Sequence, residues 1–290
     1  MELRELRSFL AVLRAGSITR AAEELHITQP ALSRQMDALE RELGCTLLER
    51  GRHGARATED GLLLQRRAEA LVELADKTEG ELRSSHEELE GTISISCGQI
   101  ASLNEVCALV AAFREEHPMV SLSLHITTSC ASRRRMAEGR ADFAVLLEPF
   151  DPLGLDFARL HTEERWVAVL RADDPLVGRG ALTPDDLASG PVILPSRATM
   201  QSVLANWFGT RYCKLDVTGD ANLNAAGEAM VRMGLGRCLQ VEMLDSMAPD
   251  LVHVPLRPAL TTGSVMAWPT GKPMSRAASV FAGFLQERLA

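Results

Sequence analysis

Residues Ser17 to Leu43 read SITRAAEELHITQPALSRQMDALEREL, and the rest of the chain is organised around them. Leu32, Met36, Leu39 and Leu43 recur at spacings of four, three and four, which makes one apolar stripe of a 3.6-residue helix. Pro30, Arg34, Asp37 and Arg41 then fall on the opposite side, with Ser33 beside them. Thr28 stands where an N-cap belongs, and Pro30 is tolerated in a first turn whose N–H groups have no helical partner. The pattern predicts two short helices joined by a tight turn. The second ends in a polar tip carrying Gln29, Ser33 and Arg34 at its positive pole. A helix-turn-helix offers this end to the DNA major groove, where Arg reads guanine, Gln reads adenine and Ser serves either base or phosphate. The competing reading is an amphipathic pair with a solvated outer face.

Particular residues decide between the two. Phe9, Ala11-Val12, Gly16-Ser17-Ile18-Thr19, Ala21-Ala22, Leu25, Thr28-Gln29-Pro30-Ala31-Leu32-Ser33, Leu39-Glu40 and Leu43-Gly44 together resemble the N-terminal signature of LysR-type transcriptional regulators. The match runs on through Leu48-Glu49-Arg50 and Thr58-Glu59-Asp60-Gly61. The resemblance implies a winged helix-turn-helix at residues 1–58, a dimerisation helix at 59–90 and an effector domain at 91–290.

Composition fits this division. A formal net charge of −8 argues at first against a DNA partner. Residues 1–58, however, hold nine Arg against eight acids, or +1, which leaves −9 for the remainder. Screening confines attraction to a local patch, so the arginines on one face matter more than the total. No apolar run reaches the length of a membrane span and no leader is visible at the N-terminus, so a cytoplasmic location is expected. The six cysteines, at 45, 97, 107, 130, 213 and 238, show no CxxC pair and no zinc spacing. Reduced thiols, no metal and no cofactor are expected.

Around the central stretch, Leu3, Leu6, Phe9, Leu10 and Leu13 predict a buttressing first helix stopped by Gly16. Strands near Thr46–Leu48 and Ala55–Ala57 flank the turn Gly51-Arg52-His53-Gly54, and make a wing on which Arg50, Arg52 and Arg56 meet phosphates or the minor groove. With Thr19, Thr28, Gln29, Pro30, Ser33 and Arg34 they form the expected DNA-contacting set. Thr58 caps the next helix, in which Leu64, Ala68, Leu71, Ala75, Thr78, Leu82, Ser85 and Leu89 keep an unbroken heptad spacing. So narrow a seam implies a second copy of the chain, hence a homodimer reading an inverted-repeat operator on double-stranded DNA. Family resemblance extends this to a tetramer built as a dimer of dimers and to contact with RNA polymerase.

From Gly91 onward, strand and helix patterns alternate, which argues for α/β architecture with open, mainly parallel sheets. A break near His161-Thr162 suggests two lobes. The resemblance, carried by Phe113-Arg114-Glu115-Glu116-His117-Pro118, Glu138-Gly139-Arg140-Ala141-Asp142 and Gly234-Leu235-Gly236, is to a two-lobed, periplasmic-binding-protein-like effector domain. It implies lobe I at 91–162 and 268–290, and lobe II at 163–267.

Ligands of open α/β sheets sit beyond the strand C-termini against helix N-termini. That selects Gly98, Gln99, Ile100, Ala101, Ser102, Thr128, Ser129, Leu147, Pro195, Ser196, Arg197 and Gln240. Relatives often place a hydroxyl in the first loop to hold a carboxylate, whereas this chain has Ile100 and Ala101 there. An apolar or aromatic small-molecule effector with one polar anchor is expected. Loop capping is the plain explanation for Ser129 and Ser196.

A redox sensor is the alternative, with Cys130 or Cys213 as its thiol, since Cys97, Cys107 and Cys238 lie in apolar periodic segments. An enzyme is not expected. Gly234-Leu235-Gly236 lacks the third glycine of a dinucleotide fingerprint, and no histidine has a nucleophile at a recognised spacing.

Overall fold

The computed structural model describes residues 1–51, 54–83, 89–243 and 249–289. They fall into two compact units, 1–83 and 84–290.

In the first unit, helix α1 (Leu3–Ala15) buries Leu6, Phe9, Ala11 and Val12. Of the expected inner face, Leu10 and Leu13 are half-buried and Leu3 is exposed. Gly16 ends the helix at φ +63°, a left-handed conformation that glycine adopts without a Cβ penalty. Helices α2 (Ile18–Glu24) and α3 (Gln29–Leu43) follow, and His26 turns the chain between them at φ +54°. On α3, Leu32, Met36 and Leu39 are buried, but Leu43 is 39% exposed. The stripe thus stops one turn before the helix, because the chain swings away at Gly44 (φ +70°).

Thr28 occupies the N-cap position with extended backbone, yet its hydroxyl makes no capping bond; its carbonyl accepts the Ala31 and Leu32 N–H groups instead. Strands β1 (Leu48–Gly51) and β2 (Gly54–Ala57) pair antiparallel, with Glu49 opposite Arg56 and Arg50 opposite Ala55. The first strand begins two residues later than expected, since Thr46 and Leu47 are engaged elsewhere. Their carbonyls accept the Thr58 hydroxyl (2.6 Å) and the Thr58 N–H (3.0 Å). Arg52 and His53, which follow β1 in sequence, lie outside the described residues.

Helix α4 (Glu59–Arg83) starts on Thr58, whose Oγ1 accepts the Gly61 N–H at 3.0 Å. At 1.5 Å per residue its 25 residues span about 37 Å, less than a seam reaching Leu89 requires. Ser85 lies outside the described residues and Leu89 beyond the helix. The seam also shifts. Ala68 is fully buried and Leu64 packs on the helix-turn-helix core, so both serve their own domain. Among the described residues of α4, the leucines left exposed are Leu62, Leu63, Leu71 and Leu74. Leu63, Ala70, Leu71 and Leu74 share one side of the helix, so Leu71 alone is common to this stripe and the expected one.

The second unit holds two sheets. The first has the order β4-β3-β5-β13-β6, from β3 (Gly91–Cys97), β4 (Val120–Ile126), β5 (Phe143–Leu147), β6 (Leu155–Arg159) and β13 (Ser264–Pro269). The second runs β11-β7-β10-β8-β9, from β7 (Glu164–Arg171), β8 (Pro191–Pro195), β9 (Asp216–Ala221), β10 (Arg237–Val241) and β11 (Leu251–Pro255), with β12 (Thr261–Thr262) on β7. Helices α5 (Ser102–Glu116), α6 (Ser129–Ala137) and α10 (Arg276–Arg288) belong with the first, while α7 (Pro184–Leu187), α8 (Ala198–Phe208) and α9 (Asn224–Arg232) belong with the second.

Two expectations change here. The sheets are mixed: β3–β4, β3–β5, β8–β9 and β8–β10 are parallel, whereas β7 and β13 pair antiparallel with every neighbour. Each of those two strands arrives from the other lobe and enters in the opposite direction. The second crossing also falls at Gly263, not after Ala267, because Ser264 pairs with Leu147 and Val265 with Arg159 in the first sheet. The first crossing lies between β6, which ends at Arg159, and β7, which begins at Glu164.

Ile93, Ile95 and Cys97 are fully buried on β3, an interior strand of the first sheet. Phe113, Phe143 and Phe281 meet edge to face beside it, with ring centroids 5.0–5.2 Å apart. One buried apolar cluster runs from these residues through Ile100 and Trp166 to Met200, Leu204 and Leu239, so the two lobes share a core. Among the described residues no helix is long and apolar enough to cross a membrane.

Candidate functional site

The tip of α3 is open. Thr28, Gln29, Pro30 and Arg34 are exposed, Ser33 is half-buried, and Thr19 is exposed on α2. Arg34 curls back so that its Nε donates to the Pro30 carbonyl at 3.2 Å. This leaves the guanidinium beside the helix N-terminus. Arg41, about two turns further on, repeats the contact with the Asp37 carbonyl at 3.1 Å.

The wing is fixed to this helix by Glu40, to which the sequence reading gave no role beyond the family signature. Glu40 Oε1 accepts the N–H groups of Leu47 (2.7 Å) and Leu48 (3.0 Å), so α3 holds the entry to β1 directly. On the other strand, the Ala55 N–H donates to the Gly16 carbonyl at 2.9 Å. A Cβ on Gly54 would stand 2.2 Å from that same oxygen, which is why a glycine turns the corner there. Arg56 is exposed on β2, and Arg50 occupies β1.

In the second unit, the expected effector positions meet where the lobes face each other. Arg197, the residue before α8, reaches across. Its Nη1 donates to Ser129 Oγ at 3.3 Å, and its Nη2 to the carbonyls of Leu147 (3.1 Å) and Pro149 (2.7 Å). Burial pulls its pKa below the ordinary arginine value, and the neighbouring charge of Arg133 adds to that, against an opposing pull from Cys130. Thr128 is engaged as the cap of α6, accepting the Ala131 N–H at 3.3 Å. Ser196 is exposed and Pro195 half-buried at the end of β8, while Gly98 and Gln99 lead from β3 to the buried Ile100.

Gln240 does not join them. Its amide turns under α9, with Nε2 3.5 Å from Glu228 Oε1, because alternate residues of β10 face opposite sides of the sheet.

Glu164 was also missed, and it organises this end of the cleft. The side chain is fully buried, and its two oxygens accept the Ala101 and Ser102 N–H groups at 2.9 Å each. The fastening is reciprocal. Glu105, on the first turn of α5, accepts the N–H groups of His161 (2.9 Å) and Thr162 (2.8 Å) in the crossover. Burial pushes the Glu105 carboxyl up, but these bonds outweigh it and its pKa lies below the ordinary value. A strand-edge glutamate looks solvated in a sequence, so no local pattern announces either role.

Cys97 and Cys238 are buried, and burial pushes both thiols up to about 12, with Glu164 adding to the first shift and Glu228 to the second. Cys107, expected in an apolar segment, is exposed, as are Cys130 and Cys213. Two surface hollows, of about 130 and 300 Å³, share Arg171 at the C-terminal end of β7. The charges there are paired: Arg171 with Asp173, Arg232 with Asp250, and Arg237 with Asp174.

The family model "Bacterial regulatory helix-turn-helix protein, lysR family" matches residues 3–62, and "LysR substrate binding domain" matches residues 86–290. The chain belongs to the LysR family of transcriptional regulators. The LysR-family chain is 30% identical to the HTH-type transcriptional regulator BudR of Raoultella terrigena, over 92% of this chain and 94% of that one. It is 29% identical to the transcriptional activator protein LysR of Escherichia coli, over 100% and 94%. In fold it resembles the crystal structure of the LysR-family regulator CbnR, with a TM-score of 0.70 at 20% identity and full coverage of both chains. CbnR has also been solved in complex with its target DNA (TM-score 0.67). A DNA-binding regulator with an effector-binding domain, and not an enzyme, is what this LysR-family membership means.

Proposed function

We propose that this regulator reads an inverted-repeat operator in double-stranded DNA as a homodimer, or as a tetramer of two dimers, and that a small molecule held between the lobes of residues 91–290 alters how it bends its promoter. The observation that carries the DNA part is the open α3 tip, with Gln29, Ser33 and Arg34 beside a free helix N-terminus and Arg50 and Arg56 on a wing that Glu40 fastens to the same helix. Thr19, Thr28 and Pro30 border that surface, and Arg52 extends it in sequence. The exposed Leu63, Leu71 and Leu74 on α4, with the half-buried Ala70 among them, supply an apolar face that supports pairing with a second copy. Contact with RNA polymerase and a cytoplasmic location follow from the regulatory role.

The effector reading rests on Arg197, which joins both lobes through neutral acceptors where Ser129, Leu147 and the Pro195–Ser196 turn converge. Fluorescence anisotropy with DNA from upstream of the protein's own gene tests the main proposal. Salt-sensitive preference over a scrambled duplex is expected, and equal affinity for both would refute it.

A second reading, redox sensing, draws on Cys130, which is exposed at the N-terminus of α6 near Arg197 and Arg133. Cys130→Ser abolishes a peroxide-dependent change in DNA affinity under this reading and leaves effector-dependent change intact.

A further inference from the structure

We infer that Asp37 is a further specificity-determining residue of the α3 surface, a carboxylate that selects cytosine at one position of each operator half-site and turns away guanine and thymine there. The inference rests on the operator reading above and narrows it to one base.

α3 carries three acids, and two of them are engaged away from its open face. Glu40 holds the N–H groups of Leu47 and Leu48, and Glu42 pairs with the Met1 ammonium. Asp37 lies elsewhere. At about 100° per residue it falls within about 60° of Ser33, Arg34 and Arg41 around the axis, opposite the buried Leu32, Met36 and Leu39. Local helix chemistry gives little reason for an aspartate at this place. It stands ninth from Gln29, beyond the first turn where the macrodipole favours acids, and aspartate is a poor former of helix interiors.

Its neighbours suit contact with a base edge. Pro30 and Ser33 are short, so they do not hold the helix away from a groove floor that a side chain as short as Asp37 must reach. Arg34 and Arg41 fold back onto the carbonyls of Pro30 (3.2 Å) and Asp37 (3.1 Å). Positive charge therefore stands on the turn of Asp37 and again about two turns before it, and offsets repulsion between the carboxylate and the phosphates.

In the major groove a carboxylate, which only accepts, meets a donor in cytosine N4, whereas guanine N7 and O6 and thymine O4 are acceptors and repel it. Adenine offers its N6 donor with the N7 acceptor beside it. Three residues separate Asp37 from Arg34, about 4.5 Å of helix, which sets the cytosine one or two base pairs from the base read by Arg34. The plain alternative is an i,i+4 partner for Arg41, which stabilises an exposed helix weakly and reads nothing.

Site selection on the full chain tests this, with a duplex library randomised across the protein's upstream region. The unsubstituted protein is expected to prefer cytosine roughly 10-fold at a position one or two base pairs from the one that Arg34→Ala relaxes. Asp37→Ala should lose that preference alone and bind the other duplexes at least as tightly, since one negative charge near the phosphates is gone. Asp37→Asn should move the preference from cytosine to adenine. A residue serving only as a partner for Arg41 produces neither change.

Melting curves establish that each variant folds; should Asp37→Ala fail to, Asp37→Asn, which keeps the shape, carries the test alone. Cytosine selection that survives Asp37→Asn, or a loss of affinity shared by all duplexes, overturns the inference. A protein that selects a sequence on which neither substitution acts leaves the operator reading standing and defeats only the part given to Asp37. One that selects no sequence defeats both.

Discussion

Arg197 precedes α8 in one lobe and Leu147 ends β5 in the other, yet the guanidinium Nη2 lies 3.1 Å from the Leu147 carbonyl oxygen and donates to it. With the bonds to Ser129 and Pro149, this is a cation holding two lobes together through neutral acceptors. Hydrogen bonds from a charged group contribute about 1.5–3 kcal/mol each at most, less where solvent reaches them. Arg197→Ala is therefore expected to lower the melting temperature by roughly 3–8 °C. Calorimetry checks the shift, and hydrogen exchange should rise at residues 147–150. An unchanged melting curve would show that the bridge contributes nothing to closure.

Gly54 has φ +111°, and an added Cβ would stand 2.2 Å from the Gly16 carbonyl oxygen. Gly54→Ala forces the hairpin off the α1–α2 turn and should cost roughly 2 kcal/mol or more. Urea unfolding measures the loss, and DNA affinity should fall with it. Gly16→Ala has open space around its Cβ and only its φ of +63° to contend with, so it should be the milder change.

At the proposed DNA surface the two arginines differ in kind. Arg34 stands at the α3 tip, and Arg34→Ala should relax preference at one base position by about 1–3 kcal/mol. Arg56 lies on the wing, and Arg56→Ala should weaken all duplexes alike while lowering the salt slope by about one. Binding-site selection and salt titration separate these outcomes. Identical profiles would place both residues on the backbone.

Glu105 predicts a dependence on pH. Its pKa is depressed in the folded chain, so its contribution is complete above the ordinary glutamate value of about 4.3 and fades as pH falls through the lower folded value. Glu105→Gln should thus lose stability near pH 7 and show a flatter decline below about pH 4.3 than the unsubstituted protein. Parallel slopes in the two proteins between pH 5 and 3 would contradict the assignment.

Thiol chemistry should divide five of the six cysteines into two groups, with the half-buried Cys45 between them. Cys107, Cys130 and Cys213 are exposed and should react with iodoacetamide in the native state, while Cys97 and Cys238, pushed up to about 12, should react only after unfolding. Peptide mass spectrometry after timed labelling distinguishes the groups. Early modification at Cys238 would mean that α9 opens readily over its sheet.

Much of the first unit was legible in the residues, because helix periodicity and caps are local. The buried Leu32, Met36 and Leu39 of α3 and the stop at Gly16 follow from neighbours in sequence. Where the outcome depended on packing partners, sequence reading ran out. Leu64 and Ala68 fit a heptad, but the spacing does not say that their own domain covers them. Leu155–Arg159 and Asp216–Ala221 form edge strands whose polar residues read as loops. The Ser264–Trp268 run looks the same in either sheet, and only its register with Leu147 and Arg159 assigns it to the first. Ser129 and Arg197 were both singled out, but their meeting across 68 residues has no sequence signature. Glu164 carried none either.

The two attachments of the hairpin, Glu40 to Leu47 and Leu48 and Gly16 to Ala55, leave α3 and the wing little freedom to slide against each other. Such a head behaves as a fixed-gauge caliper. A duplex whose groove departs from that gauge has to deform to be gripped, so stretches touched by neither helix nor hairpin still influence affinity through their stiffness.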